Sequence, residues 1–385
     1  MVNAVIGRLG TTIFEAMSQR ARDTGAINLG QGFPDANGPP ELLEACARAV
    51  LERSSQYPPM RGLAELRRSV AEYYRAGQGI VLDPDTEIVV TSGATEALAA
   101  SLLALIEPGD EVIAVQPLYD AYLPLIERAG GVVRLVSLTP PDWRLPVAVL
   151  EAAITPRTRL LLLNTPNNPT GTILGQAELE AVARLCVAHD LNILCDEVWE
   201  AMLFDAVDHR SPLALPELRD RTVKVGSAGK IFSLTGWKVG WACAAPPLAT
   251  AIARAHQFLT FTTPPALQWA VSDGLSLPAE WHAAHRAGHG EGRARLIAGL
   301  RAAGFHVLDG PATWFVIVDL AASGIDMPDT VFCERLAEAG VVSIPVSAFY
   351  ADAPETGYVR FCFTKSLETL DEAIARIGRF RGTLA

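Results

Sequence analysis

From residue 87 onward the apolar positions come in short unbroken runs, at 87–91, 111–115, 132–138, 159–164, 192–195, 222–226 and 239–244. Helical patterns separate most of them. Runs this short, apolar on both faces, predict strands of a largely parallel sheet covered by helices on each side. Ahead of them, 39–75 reads as helix broken at 56–62, where Pro58 and Pro59 cannot sit inside a helix. A polar N-terminal arm carries one helix-like stretch, 13–21. After about residue 277 the pattern changes to a long helical segment (280–303), an alternating strand (313–319), a helix (328–339), strands at 341–346 and 358–363, and a closing helix (367–381). That is a second, α+β unit. The division expected is 1–38 for the arm and part of the small domain, 39–278 for a large domain, and 279–385 for a C-terminal small domain.

A chain of 385 residues exceeds what one compact core usually serves, which agrees with two lobes closing around a small ligand. Its 32 basic against 43 acidic residues leave a net charge of −11 without any basic block, which argues against nucleic acid and anionic membranes as partners. Six scattered cysteines, with no C-x-x-C pair, read as buried thiols of a reducing compartment. No basic leader precedes an apolar stretch at the start and no run is long enough to span a membrane, so a cytoplasmic protein is expected.

Chemistry concentrates at the ends of the apolar runs. The stretch 223–241 runs from a strand into small residues, presents Lys230 between Gly229 and Ile231, and turns through Gly236 into a second strand. An amine with little water around it loses its proton more readily and becomes nucleophilic near neutral pH. At 88–98 a strand ends, Gly93 permits a tight turn, and Ala94 and Thr95 open a helix whose free N–H groups can cradle an anion. Asn168 sits in a rigid loop rich in proline after an apolar strand. Asp196 and Glu197 end the next strand, at the sheet edge where open α/β folds bind ligands, and an apolar setting there calls for a cationic partner. Arg360, between apolar strand residues, calls for a planar anion such as a substrate carboxylate. A structural ion pair is the plainer alternative for both. Gly30-Gln31-Gly32 is not a dinucleotide fingerprint, because no third glycine follows and Pro34 blocks the helix; it reads as a loop that lets a ligand approach the backbone. His282, His285 and His289 share a helix face without a further ligand at metal spacing, and a solvated face is expected rather than a metal site.

In this order and spacing, Gly226-Ser227-Ala228-Gly229-Lys230, Thr235-Gly236-Trp237-Lys238-Val239-Gly240-Trp241, Asn28 to Asp35 and Arg360 to Phe363 resemble the class I/II aminotransferases of fold type I, in particular the kynurenine/glutamine/methionine branch. The resemblance covers nearly the whole chain. It implies a large domain with a mostly parallel seven-stranded sheet between helices, a smaller α+β domain, and pyridoxal 5'-phosphate as cofactor. It further implies that Lys230 forms the Schiff base, Asp196 pairs with the pyridinium nitrogen, Asn168 binds the phenolic oxygen and Tyr119 stacks on the ring. Gly93, Ala94, Thr95, Ser227 and Lys238 would hold the phosphate, with Tyr57 reaching in from the neighbouring subunit of an obligate homodimer. Arg360, Asn168 and Gly32 would take the substrate's α-carboxylate, and Phe14, Phe261, Trp314 and Tyr350 would line an apolar side-chain pocket. Two departures stand out: Trp199 replaces the family's tyrosine in the cofactor site, and Thr262 stands where kynurenine-type members often carry histidine. The activity implied is transfer of an α-amino group from an aromatic, methionine-like or glutamine-like amino acid to a 2-oxo acid. The alternative on the same residues is β-elimination from cysteine conjugates.

Overall fold

The computed structural model describes residues 2–205 and 207–384. Its centre is a seven-stranded sheet in the order 88–91, 240–243, 222–227, 192–196, 158–164, 111–116, 132–137. Neighbours pair in parallel except around Gly240–Cys243, which runs antiparallel to both of the strands beside it. Each strand coincides within a few residues with one of the apolar runs. The reason is burial from both sides: Ile88–Thr91, Glu111–Gln116 and Thr222–Ser227 are buried along their whole length. Val132–Ser137 lies at the sheet edge and alternates instead.

A smaller four-stranded antiparallel sheet, in the order 344–345, 358–362, 315–319, 306–308, lies under the long helix Ala279–Ala302, against which the closing helix Leu367–Gly382 packs. The single strand read over 341–346 is two. Val341–Val342 pairs in parallel with Ile27–Asn28 from the N-terminal arm, whereas Ile344–Pro345 joins the four-stranded sheet. Pro345 has no N–H to extend a ladder, and a short 3-10 turn follows at once. The strand His306–Leu308 has no counterpart among the runs; three residues carry too little pattern to register.

The pairing of Ile27–Asn28 with Val341–Val342 lays the arm against the C-terminal unit. The turn at Gly30–Gly32 thereby faces the ends of the large sheet's strands, with Gly30 O accepting from Arg360 at 2.5 Å. All six cysteines are unbridged, five buried and Cys46 half-buried, contrary to the uniform burial expected of them; it lies on the helix Pro40–Glu52, whose next turns are largely exposed. Among the described residues no helix is long and apolar enough to cross a membrane.

Candidate active site

The carboxyl ends of the central strands open into a cavity of about 780 Å³ lined by most of the chemistry-bearing positions singled out above; Gly30, Tyr57, Glu197, Phe261, Thr262, Trp314, Tyr350 and the three helical histidines are not among its lining residues. Lys230 lies on the one-turn helix Ala228–Ile231 that follows the strand Thr222–Ser227, so its amine emerges at the strand's end. It makes no hydrogen bond to the described residues. Burial is the main reason its pKa falls from 10.5 to about 8, with Asp196 and Cys362 opposing and Arg360 and Lys238 reinforcing the fall.

Asp196 ends the neighbouring strand. Its Oδ2 accepts from the Tyr122 hydroxyl at 2.6 Å and its Oδ1 from the Val198 N–H at 3.2 Å. Burial raises its pKa to about 6, with the Tyr122 bond acting the other way. The fixed cation expected beside Asp196 belongs to Glu197 instead. Lys224 Nζ sits 2.5 Å from Glu197 and 2.6 Å from Glu200, His209 lies 2.8 Å from Glu197, and Ser211 donates to it at 2.6 Å. This buried network fastens the 197–200 turn from below, while Asp196 stays open toward the cavity. Side chains of adjacent strand residues point to opposite faces, which separates two carboxylates that the sequence presents together.

Arg360 is 1 % exposed and in the strand Tyr358–Cys362. It donates to Asn168 Oδ1 at 2.6 Å and to Gly30 O at 2.5 Å, and its guanidinium stacks 3.8 Å from the Phe315 ring. Among the described residues no carboxylate pairs with it, and its Nε–H has no partner. Burial lowers its pKa to about 9. A buried guanidinium with an unused donor beside a cavity suits an incoming planar anion. Asn168 is aimed by its loop: its N–H donates to Asn164 Oδ1 at 2.8 Å, and Asn164 Nδ2 donates to Asp196 O at 2.9 Å. With Oδ1 committed to Arg360, its amide N–H remains to donate into the cavity.

At the opposite end, the helix Ala94–Leu105 starts at Gly93, whose φ of +78° is a conformation that favours glycine. Lys238 reaches over this turn: a Cβ on Gly93 would stand 3.4 Å from Lys238 Nζ. A side chain on Gly240 would strike the Ala94 nitrogen at 2.7 Å, so that strand can pass this close only as glycine. Ser227, Ala94, Thr95 and Lys238 surround the same corner, an anion cradle of backbone and side-chain donors.

Tyr119, Phe14 and Gly32 line the cavity as expected. Trp199 lines it too, with the Lys230 amine 4.8 Å from the centre of its ring. Tyr350 does not: its hydroxyl donates to Leu138 O and accepts from Trp143 behind the sheet. Phe261 lies on the surface edge-on to the exposed Tyr57, and Trp314 is fully buried outside the cavity's lining, its ring centre 5.2 Å from the Lys230 amine. The histidines are not a solvated face. His289 bridges Ser233 and Thr364 at 2.9 and 3.0 Å, His285 stacks on Trp281, and no group of metal ligands forms among the described residues. Tyr122, Asn164 and Asp120 complete the site without having been read from the sequence; Tyr122 falls three residues past Tyr119, a helical spacing that was the one available signal.

These residues fit pyridoxal phosphate. An amine without a hydrogen-bond partner, a carboxylate held open at a strand end, an anion cradle that a Cβ would fill and an arginine with an unused donor meet in one cavity of suitable size. Comparison with known proteins points the same way. The chain is 42 % identical to the N-succinyldiaminopimelate aminotransferase of Mycobacterium tuberculosis, whose solved structure superposes with a TM-score of 0.95 over 99 % of this chain and 100 % of that one. It is 40 % identical to the methionine aminotransferase of Escherichia coli, covering 96 % of each, and 33 % identical to kynurenine–oxoglutarate transaminase 1 of Rattus norvegicus, covering 92 % of each. The family model for aminotransferase class I and II matches residues 24–377. The chain therefore belongs to aminotransferase class I and II and is a pyridoxal-phosphate-dependent aminotransferase.

Proposed function

We propose that the enzyme takes its amino group from an amino acid with an uncharged, apolar or amide-bearing side chain, of the aromatic, methionine-like or glutamine-like kind. The observation that carries this reading is the inventory of cations in the cavity. Lys230, Lys238 and Arg360 are the lysines and arginines lining it, and each has a task in the shared chemistry. Among the described residues no further cation lines it to meet a second carboxylate, and Asp120 would repel one. Leu9, Ile13, Phe14 and Phe33 supply an apolar end. The M. tuberculosis and E. coli relatives are named for different amino donors, so relationship alone leaves the donor open. Initial rates for a panel of methionine, glutamine, phenylalanine, kynurenine, aspartate and glutamate, each with several 2-oxo acids, test it. Uncharged donors should lead; rates on aspartate equal to those on methionine would overturn the reading.

Pyridoxal phosphate, when bound, supplies the aldehyde carbon through which the amino group passes and a ring that draws electrons from it. In our reading Lys230 would hold the cofactor covalently. Its Nζ, with a pKa of about 8 close to neutrality, would serve as the base and acid that moves the substrate's Cα proton. Asp196 would hold a proton at the ring nitrogen. Asn168 would donate to the phenolic oxygen, Tyr119 would cover the ring, and Gly93, Ala94, Thr95, Ser227 and Lys238 would bind the phosphate. Arg360 would orient the α-carboxylate through its unused N–H groups, with Asn168 and Gly32 beside it. The relatives are named as aminotransferases, and β-elimination gains no support from them.

The same reading makes the enzyme a homodimer and divides it at 1–38, 39–278 and 279–385. Tyr57 is 83 % exposed and pairs with Phe261, and Phe258 beside them is 85 % exposed. An exposed aromatic cluster of this kind suits burial against a second copy, where Tyr57 would reach the partner's phosphate. A cytoplasmic location accords with the unbridged cysteines.

A further inference from the structure

We propose that Trp199 and Trp314 form a two-walled aromatic seat that holds the free Lys230 ammonium while it carries the substrate's proton. The proposal rests on Lys230 being the lysine that binds the cofactor. Lys230 Nζ stands 4.8 Å from the centre of the Trp199 ring and 5.2 Å from that of Trp314, within reach of both π faces. The indoles lie edge to face, 5.0 Å apart at 77°, so they form a corner rather than a stack. Both are buried, Trp199 being further fixed by Phe315 at 5.3 Å. Thr313, a β-branched residue at φ +72°, bends the chain immediately before Trp314 and is held by its N–H bond to Met202 O.

A second lysine shows why this seat matters. Lys224, six residues earlier, is locked by two carboxylates at 2.5 and 2.6 Å, which drive its pKa upward and make it a permanent cation. A proton carrier needs the opposite. An aromatic face attracts the ammonium without a lone pair that would claim its hydrogens, so the amine is retained yet stays free to turn and hand its proton on. The charged groups around Lys230 are Asp196 from one strand end, Arg360 from the small sheet and Lys238 from the phosphate corner, with the Cys362 thiol beside Arg360. Behind Trp314 lies His289, 5.5 Å away on the helix Ala279–Ala302. Its two ring nitrogens are occupied by Ser233 and Thr364, and burial and His285 push its pKa to about 3. The seat is thus backed by a neutral imidazole, where an imidazolium would repel the cation.

The chain has only four lysines, Lys224, Lys230, Lys238 and Lys365, and Lys230 is the one that lies over tryptophan; Lys224 faces Tyr74 and Lys365 faces Phe33. The test uses full-length holoenzyme with lysine labelled by carbon-13 at Cε. It is brought to the pyridoxamine form, in which Lys230 is a free amine, and each lysine is titrated by NMR. Tryptophan is then replaced throughout by increasingly fluorinated analogues, which keep the indole's shape and withdraw electron density from its face. The Lys230 pKa should fall stepwise, by about half a unit to one unit at the highest fluorination, while the other three hold. A Lys230 pKa that stays put, or drifts together with the other three, overturns the proposal. If fluorinated protein does not fold, the unsubstituted enzyme decides: the Lys230 ε-protons should resonate upfield of those of Lys238, and their failure to do so overturns it. A Lys230 signal that does not change between the aldehyde and amine forms of the cofactor overturns instead the assignment beneath the proposal.

Discussion

Arg360 shows at a single residue how the site was specified and, in our reading, what it does. Its guanidinium is buried without a carboxylate, stacked on Phe315 and bonded to two neutral oxygens, with three of its five N–H groups unused. Desolvating a cation this way is costly unless an anion arrives, and the substrate's α-carboxylate is the anion that every amino acid brings. Replacing Arg360 by lysine keeps the charge and removes the planar fork. Losing a bidentate, charge-assisted pair should cost roughly 2–4 kcal/mol, or about 30- to 1000-fold in kcat/KM, with the cofactor retained. Steady-state kinetics alongside the cofactor's absorbance check it; a variant within threefold of the parent would mean that the carboxylate binds elsewhere. Trp199 marks where reading from single residues reached its end. The sequence singles it out as a replaced phenol, whereas its role in the structure depends on which face it turns to Lys230 and on a second indole 115 positions away, which no local pattern links to it.

The secondary elements were legible because each is buried in a way that imposes its own period. Every strand of the central sheet shows as an apolar run, and the 24-residue helix Ala279–Ala302 as a long helical stretch. Elements of two or three residues, such as Val341–Val342 and His306–Leu308, carry no period and depend on their partners. Strand ends were legible as candidate sites, but which neighbours meet there was not: Tyr122 bonds Asp196 across 74 positions, and Lys224 pairs with Glu197 rather than with Asp196. The strand Asn192–Asp196 thus delivers a buried carboxylate held by a hydroxyl and a backbone N–H without a pairing cation. That arrangement destabilises the protein before the cofactor binds. Because the folded carboxyl keeps its proton up to about pH 6 against an ordinary 3.8, the folded chain binds more protons than the unfolded one between those values, and stability falls as pH climbs through that window. Asp196→Asn keeps one acceptor for the Val198 N–H, offers its amide N–H to the Tyr122 hydroxyl oxygen in place of the second, and lacks this loss. The cofactor-free variant should be more stable than the parent at pH 7, by up to roughly 3 kcal/mol, with the gap closing toward pH 4. Denaturant unfolding at both values measures it; equal stability at pH 7 would contradict the account.

At the scale of the whole molecule, the arm, the large sheet and the small sheet each contribute a wall to one cavity, so no single segment contains the active site. The exposed Tyr57 and Phe261 lie outside the cavity of their own chain, and in our reading the second copy brings Tyr57 to it. Subunits carrying Lys230→Ala and subunits carrying Tyr57→Ala should each be impaired alone. After mixing and exchange, hybrid dimers hold one intact site, and activity should return to about a quarter of the parent's. No recovery despite verified exchange would place Tyr57 outside the site. All of this converges on one amine, which makes the most direct measurement a chemical one. The holoenzyme is reduced with borohydride, digested, and the cofactor-bearing peptide sequenced. The account predicts the label on Lys230 alone; a label on Lys224, Lys238 or Lys365 would contradict it.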